Sequence, residues 1–197
     1  MGLKASVLII GSGQAGAMVA ITLRRIKYEG SIVILGSEKY LPYQRPPLSK
    51  AFLTNTTKLD NLYIKSKSYY QKNNIEILSD TTVINIERKA KKVALEDKTE
   101  YHYKKLILAT GSELNKIPLN CDTTNIHYLR TIDDSLAIKK AIDKEKDITI
   151  IGAGYIGLEI AATAIKKGCK VTVVELTDRV MSRSISSLTS DFLQKKH

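Results

Sequence analysis

The sequence predicts an α/β protein built on parallel strands, and three observations predict it. The first is an internal repeat: residues 7–16 read VLIIGSGQAG and residues 148–157 read ITIIGAGYIG. Each is a short run of strand character followed by G-x-G-x-x-G. The second is the apolar spacing after each cluster. Beyond Gly16, apolar residues recur at Ala17, Ala20, Ile21, Leu23 and Ile26, and beyond Gly157 at Leu158, Ile160, Ala161, Ala164 and Ile165. Both are helical spacings, and each leads into a second apolar strand. The third is an acid at or just past that strand: Glu38, 22 residues after Gly16, and Glu175, 18 after Gly157. Strand, glycine turn, helix, strand and acid together make a Rossmann-like dinucleotide-binding unit. The expected fold class is therefore α/β with two such units, the second one incomplete, and a small β-meander insertion.

Taken in order, the first helix ends near Gly30, and Ser31–Leu35 reads as a buried strand. Residues 36–50, GSEKYLPYQRPPLSK, hold three of the four prolines. That excludes a regular helix or central strand there. A short helix is expected at 65–72. From Ile75 to Tyr103 the alternation predicts a meander of IEIL, TTVINIE, KVALE and TEYHY, with Glu96-Asp97-Lys98 as a hairpin turn. Lys105–Leu108 reads as a separate buried strand ending in Ala109-Thr110-Gly111. Residues 112–131 form an irregular link and 133–146 a charged helix. In the second unit Gly168 ends the helix, Val171–Val174 is the next strand, and a further helix begins in Ser187–Lys196. The expected domains are 1–113 and 114–197.

The glycines have separate tasks. The first makes the tight turn out of the strand, the second lets the backbone approach a pyrophosphate, and the third lets helix and strand pack closely. The helix N-terminus then offers unpaired N–H groups to the phosphates, and the acid takes the ribose hydroxyls. Glu175 argues for NADH over NADPH, because a carboxylate repels a 2′-phosphate. Arg179, four residues on, softens that preference.

Composition narrows the class. The chain has 197 residues, 43% hydrophobic and 26% charged, which is ordinary for a globular protein. No apolar run approaches the ~18 residues of a membrane span, and the start lacks the features of a secretion signal. Cys121 and Cys169 lie 48 positions apart, with no CxxC and no metal-ligand cluster. That spacing fits a cytoplasmic protein with inert cysteines and no metal site. The net charge of +11 is mostly lysine, spread along the chain in short pairs such as Lys91-Lys92 and Lys166-Lys167. A solvated surface explains it best. A docking face for an acidic protein and a nucleic-acid site are the other readings, and the even spread of the lysines speaks against the last.

Two dinucleotide units with a strand–ATG between them resemble the two-domain flavoprotein reductases of the pyridine-nucleotide oxidoreductase family. LPYQRPPLSK, GYIGLEIAATAIKKG, YLRT at 128–131 and RVMSR at 179–183 resemble segments of the ferredoxin and rubredoxin reductases that serve oxygenases. The resemblance implies that the first unit binds FAD and the second NADH. Gly11, Ser12, Gly13, Gln14, Ala15 and Gly16 would hold the FAD pyrophosphate. Arg45 and Pro46 would lie along the flavin nucleotide, Val83 would reach the adenine, and Ala109, Thr110, Gly111 and Arg130 would contact FAD. Lys50 would approach the isoalloxazine ring, where a positive charge stabilises reduced flavin. Gly152, Gly154, Tyr155, Ile156, Gly157 and Arg183 would hold NADH. Glu159 would sit near the nicotinamide and pair with Lys50, and these two are the expected catalytic residues. Where the family has an acid after the glycine ending the second strand, this chain has Ser37, so Glu38 is expected to take the ribose.

Relatives that reduce disulfides carry a cysteine pair beside the flavin, and Tyr43–Lys50 has none. Electrons are therefore expected to leave singly to a ferredoxin- or rubredoxin-type carrier. One alternative is a nucleic-acid-binding flavoprotein similar to apoptosis-inducing factor. The other is a chain inactive alone, because the segment that completes the FAD domain in the family does not appear. That reading predicts uncovered apolar sheet edges and weak FAD retention.

Overall fold

In the computed structural model, residues 3–118, 120 and 122–196 are described. Cys121, expected to be inert, lies outside them. The chain divides into two compact units, one of Met1–Gln44 with Leu59–Glu113, the other of Arg45–Lys58 with Leu114–His197.

The first unit holds β1 (Leu3–Ile10), α1 (Gln14–Arg25), β2 (Ile32–Leu35), α2 (Lys67–Lys72), β3 (Ile75–Leu78), β4 (Val83–Glu87), β5 (Lys92–Leu95) and β6 (Glu100–Leu108). They form one six-stranded sheet in the order β3-β2-β1-β6-β5-β4. β1 is parallel to both β2 and β6, with Ile10 opposite Leu35 on one side and Leu108 on the other. Its apolar run is continuous because both faces are covered. Leu8 and Ile10 pack with Val33, Leu35, Val93 and Tyr101. Val7 and Ile9 pack with Ala20 of α1, Tyr70 of α2 and Ile75.

Three expectations are corrected here. IEIL is not part of the meander. It is β3, the parallel edge strand beside β2, and the short α2 before it supplies the crossover that parallel strands require. TEYHY and the run to Leu108 are one strand rather than two, because Lys104 continues the pleat. β6 pairs antiparallel with β5 through Glu100–His102 and parallel with β1 along its length. Its C-terminal end is not buried either, since Lys105 is exposed and Leu108 is 62% exposed.

Side chains join the helical layer to the strands. Ser66 caps α2 by accepting from the Tyr69 amide. The Arg24 guanidinium, at the end of α1, donates to the carbonyls of Gly30 at 2.8 Å and of Asn73 and Asn74 at 2.7 Å each. It thereby holds the exit of α1 against the turn that enters β3.

The second unit holds a 3-10 turn (Pro46–Ser49), α3 (Ile132–Lys144), β7 (Asp147–Ile151), α4 (Tyr155–Lys166), β8 (Lys170–Val174) and α5 (Ser187–Lys196). β7 and β8 pair in parallel, from Asp147 opposite Lys170 to Ile151 opposite Val174. Only one face is packed: Ile148 and Val171 lie on Ala164 of α4, Ile138 and Ile142 of α3, Cys169 and Leu53. Ile151 and Val174 are half or more exposed. The same strand signature therefore leaves β1 enclosed and β7 half covered. α3 begins at a capping box, Thr131 accepting from the Asp134 amide while Asp134 accepts from the Thr131 amide.

Tyr70 gives a test of packing in the first unit. Its hydroxyl is buried with no hydrogen-bond partner among the described residues, and burial, with the neighbouring Tyr69, pushes the phenol up to about 12. A buried hydroxyl without a partner is a cost that phenylalanine removes. Tyr70→Phe is expected to leave urea stability unchanged or raise it by up to about 1 kcal/mol; a loss of stability would show that the hydroxyl is satisfied.

Candidate dinucleotide sites

The geometry separates the three glycines of each turn. Gly11 has φ +110°, and a Cβ there would meet the Ala109 carbonyl oxygen at 2.1 Å. A Cβ on Gly16 would lie 2.0 Å from the Gly11 oxygen, and one on Gly157 2.1 Å from the Gly152 oxygen. These positions are glycine because the chain itself fills the space. A Cβ on Gly13 or Gly154 meets nothing within 4 Å. Among the described residues no atom crowds a side chain there, so the space over each turn is open to a ligand. Gly13 and Gly154 are also the N-cap residues of α1 and α4, with no side-chain cap on either helix. Their first-turn N–H groups remain available to an anion. Both turns thus fit a pyrophosphate group.

In the first unit the predicted residues gather at the C-terminal ends of β1, β2 and β6, the side of a parallel sheet where ligands bind. The Gly11 amide donates to Leu35 O at 2.8 Å and the Ala109 amide to Ile10 O at 2.8 Å, which sets Ala109, Thr110 and Gly111 beside the turn. Ser12 presses on Gly36, where a Cβ would meet its Oγ at 2.1 Å. Ser37 is exposed. Glu38 is half-buried and accepts from the Tyr43 hydroxyl at 2.6 Å, a contact that holds its carboxylate at the strand end. The Thr81 amide donates to Gly36 O at 2.8 Å, bringing the approach to Val83 alongside. Gln14 and Ala15 lie between the second and third glycines, at the start of α1.

In the second unit, Glu175 accepts from the Ala153 amide at 2.7 Å and from the Thr177 amide and hydroxyl at 3.0 and 2.9 Å. These donors, the Thr177 amide foremost and the Ala153 amide next, hold its carboxyl down to about 2. The carboxylate is anchored to its own glycine turn. Arg179 does not stand as a free cation beside it: its guanidinium donates to Ile185 O at 2.9 Å and Ser182 O at 3.0 Å. These bonds use two of the five guanidinium donors and leave its positive charge in place. Arg183 is exposed, as are Tyr155 and Ile156 on the first turn of α4.

Arg45, Pro46 and Lys50 fall within the expected first domain, 1–113, but their segment packs in the second unit. Arg45 donates to the Arg130 carbonyl, and the Arg130 amide donates to Asp134 at 2.9 Å. Lys50 Nζ lies 2.8 Å from Glu159 Oε1, with side chains 54% and 28% exposed. An ion pair so exposed contributes about 0–1 kcal/mol.

Sequence reasoning passed over Tyr43, Ser49, Thr177 and Ser135. Ser49 donates to the other oxygen of Glu159, and Ser135 to Leu48 O at 2.7 Å. Only the T-x-x-D spacing of Thr131 and Asp134 carried a signal that could have located the start of α3.

Two glycine turns with open space at the second glycine, each followed by a held carboxylate at the next strand end, mark two Rossmann-type units of the class that dinucleotide-binding proteins share. The chain belongs to the pyridine nucleotide-disulphide oxidoreductase family, whose sequence profile matches residues 5–197. It is 40% identical over 193 residues to rhodocoxin reductase of Rhodococcus erythropolis, covering 98% of this chain and 45% of that protein. It is 37% identical to a rubredoxin-NAD(+) reductase of Pseudomonas putida, covering 97% and 50%. The reductase in a covalent putidaredoxin reductase–putidaredoxin complex superposes with a TM-score of 0.93 at 36% identity, over 98% of this chain and 47% of that one. The chain thus spans about half the length of the relatives it matches. Among the described residues no helix is long and apolar enough to cross a membrane, and no His, Cys, Asp and Glu cluster could hold a metal ion.

The turns and the anchored acid can each be tested. Gly16→Ala is expected to cost about 1–3 kcal/mol in urea unfolding, while Gly13→Ala stays within about 0.5 kcal/mol of wild type. Equal losses would refute the division of roles. For Glu175 the folded carboxyl lies below its ordinary value of 4.5. Its stabilisation is full above that value and disappears as pH falls towards about 2. Wild type and Glu175→Gln are therefore expected to differ in thermal midpoint at pH 6 and to converge in strong acid; a gap that persists would assign the loss to packing.

Proposed function

We propose that the protein works as an FAD-dependent NADH oxidoreductase that passes electrons to a ferredoxin- or rubredoxin-type carrier. The observation that carries this reading is the pair of uncapped glycine turns in one chain, each with open space at its second glycine. In this reading the first turn, from Gly11 to Gly16, takes the FAD pyrophosphate. Glu38, held by Tyr43, takes the ribose, with Ser37, Val83, Ala109, Thr110, Gly111, Arg45, Pro46 and Arg130 as further FAD contacts. Gly152, Gly154, Tyr155, Ile156, Gly157 and Arg183 hold NADH, and Lys50 and Glu159 work at its reacting end. When bound, FAD supplies the conversion of a two-electron hydride into single electrons, which no side chain can perform. The protein's own task is to bind, orient and select.

Selection rests on Glu175. Its carboxyl is held down to about 2, so it is ionised wherever the protein is folded at ordinary pH. A ribose diol can donate to that carboxylate, whereas a 2′-phosphate is repelled. The carrier class is supported by the relatives, named as reductases of rhodocoxin and rubredoxin. It is also supported by the lack of a CxxC in this chain, which leaves no dithiol route within it.

Anaerobic bleaching of flavin absorbance tests the reading. With FAD in excess, NADH is expected to bleach the flavin at a KM well below that for NADPH, and added ferredoxin or rubredoxin to be reduced. Glu175→Gln should narrow the preference by about tenfold. Failure to bind FAD, or preference for NADPH, would overturn it.

A further inference from the structure

Ser49 stands apart from the other residues near Glu159. It is the last residue of the Pro46–Ser49 turn and is 5% exposed. Its hydroxyl has two acceptors in range: Pro46 O of its own turn at 3.5 Å and Glu159 Oε2 at 2.5 Å. The shorter contact is charge-assisted, and such bonds are roughly twice as strong as neutral ones. Lys50 meets the opposite oxygen, Oε1, but from a half-exposed, flexible side chain whose pairing is screened. Of the two neighbours, the buried serine with a single rotor therefore sets the orientation of the carboxylate.

The turn that presents Ser49 is itself fixed. Its two prolines have preset φ, and the Leu48 and Lys50 amides donate within it to Arg45 O and Pro47 O, each at 3.0 Å. The Leu48 carbonyl, one bond from Ser49, accepts from Ser135 Oγ at 2.7 Å, and Ser135 is buried in the first turns of α3. Leu53 anchors the far end of the segment in the core with Ile138, Ile142 and Ala164. Glu159 lies two residues after Gly157 on α4, beside the second glycine turn.

We propose that Ser49 is a positioning residue for Glu159: its hydroxyl holds one carboxylate oxygen, so that a nicotinamide nucleotide in the second turn meets a carboxylate of fixed orientation. The inference rests on the reading of that turn as the NADH site. Ser49 touches no substrate in it and acts only through Glu159.

A double-mutant cycle on NAD⁺ binding by calorimetry tests this. Ser49→Ala is expected to weaken NAD⁺ binding about five- to tenfold, and Ser49→Thr, which keeps the hydroxyl, by less than about twofold. In a Glu159→Ala background, Ser49→Ala should add almost nothing. Urea unfolding of the same four proteins is expected to show Ser49 and Glu159 coupled without any nucleotide. Additive losses in both measurements would overturn the proposal, as would equal losses for the alanine and threonine variants. A wild-type chain that binds no NAD⁺ would overturn the reading of the turn and this inference with it. One that binds NAD⁺ while the variants behave additively would overturn only the inference.

Discussion

A strand that must hand over to a helix within three residues has very little room, and this crowding governs both units. In the first, the Gly11 carbonyl occupies the place where a side chain at position 16 would begin, and Ala109 closes on Gly11 from the neighbouring strand. In the second, the Gly152 carbonyl does the same at Gly157. The approach brings the helix N-terminus over the end of the strand, with its N–H groups unspent. The candidate contacts made by the glycine turns themselves are placed by that junction. The residues that make the junction possible are thereby distinct from the residue, Gly13 or Gly154, whose bareness faces outward.

The two units secure their acids differently. Glu175 is tied to the backbone of its own turn through Ala153, so the glycine loop and the carboxylate move as one piece. Glu38 follows Ser37 rather than ending its strand directly, and is steadied by a phenol, Tyr43, that the chain supplies five residues later. The one-residue offset in sequence is met by a side chain from the proline-rich loop. The carboxylate of Glu159 uses a third device. A buried serine and an exposed lysine, adjacent in sequence, grip its two oxygens, and α3 fixes the serine through Leu48.

Several lysines of the chain are held by local partners. Lys92 lies between Glu87 and Glu100 across three strands, which raises its own ammonium while Lys92 in turn lowers Glu100. Lys167 pairs with Asp143 across α4 and α3. Lys144, Lys166, Lys195 and Lys196 sit in the last turns of their helices, where the dipole favours cations.

By itself the sequence determined the pair of strand–turn–helix–strand units and their glycine turns. These depend on contacts between residues close along the chain: apolar periodicity, the left-handed φ at Gly11, and an N-cap without a side chain. The tertiary structure decided which elements pair. IEIL carries the same alternation in a meander as in a parallel edge, so only the partner strand assigns it. Lys104 looks like a break and is not one, because β6 has β1 along its length to hold the pleat. The proline-rich segment gave no sign of its packing on α3, since that depends on Ser135 and Leu53 meeting partners over 80 residues away. Ser49 in the run PPLSK resembles any turn serine, and only burial against Glu159, 110 residues on, distinguishes it. Local rules set conformation, whereas long-range contacts set environment, and the chemistry of a carboxylate depends on its environment.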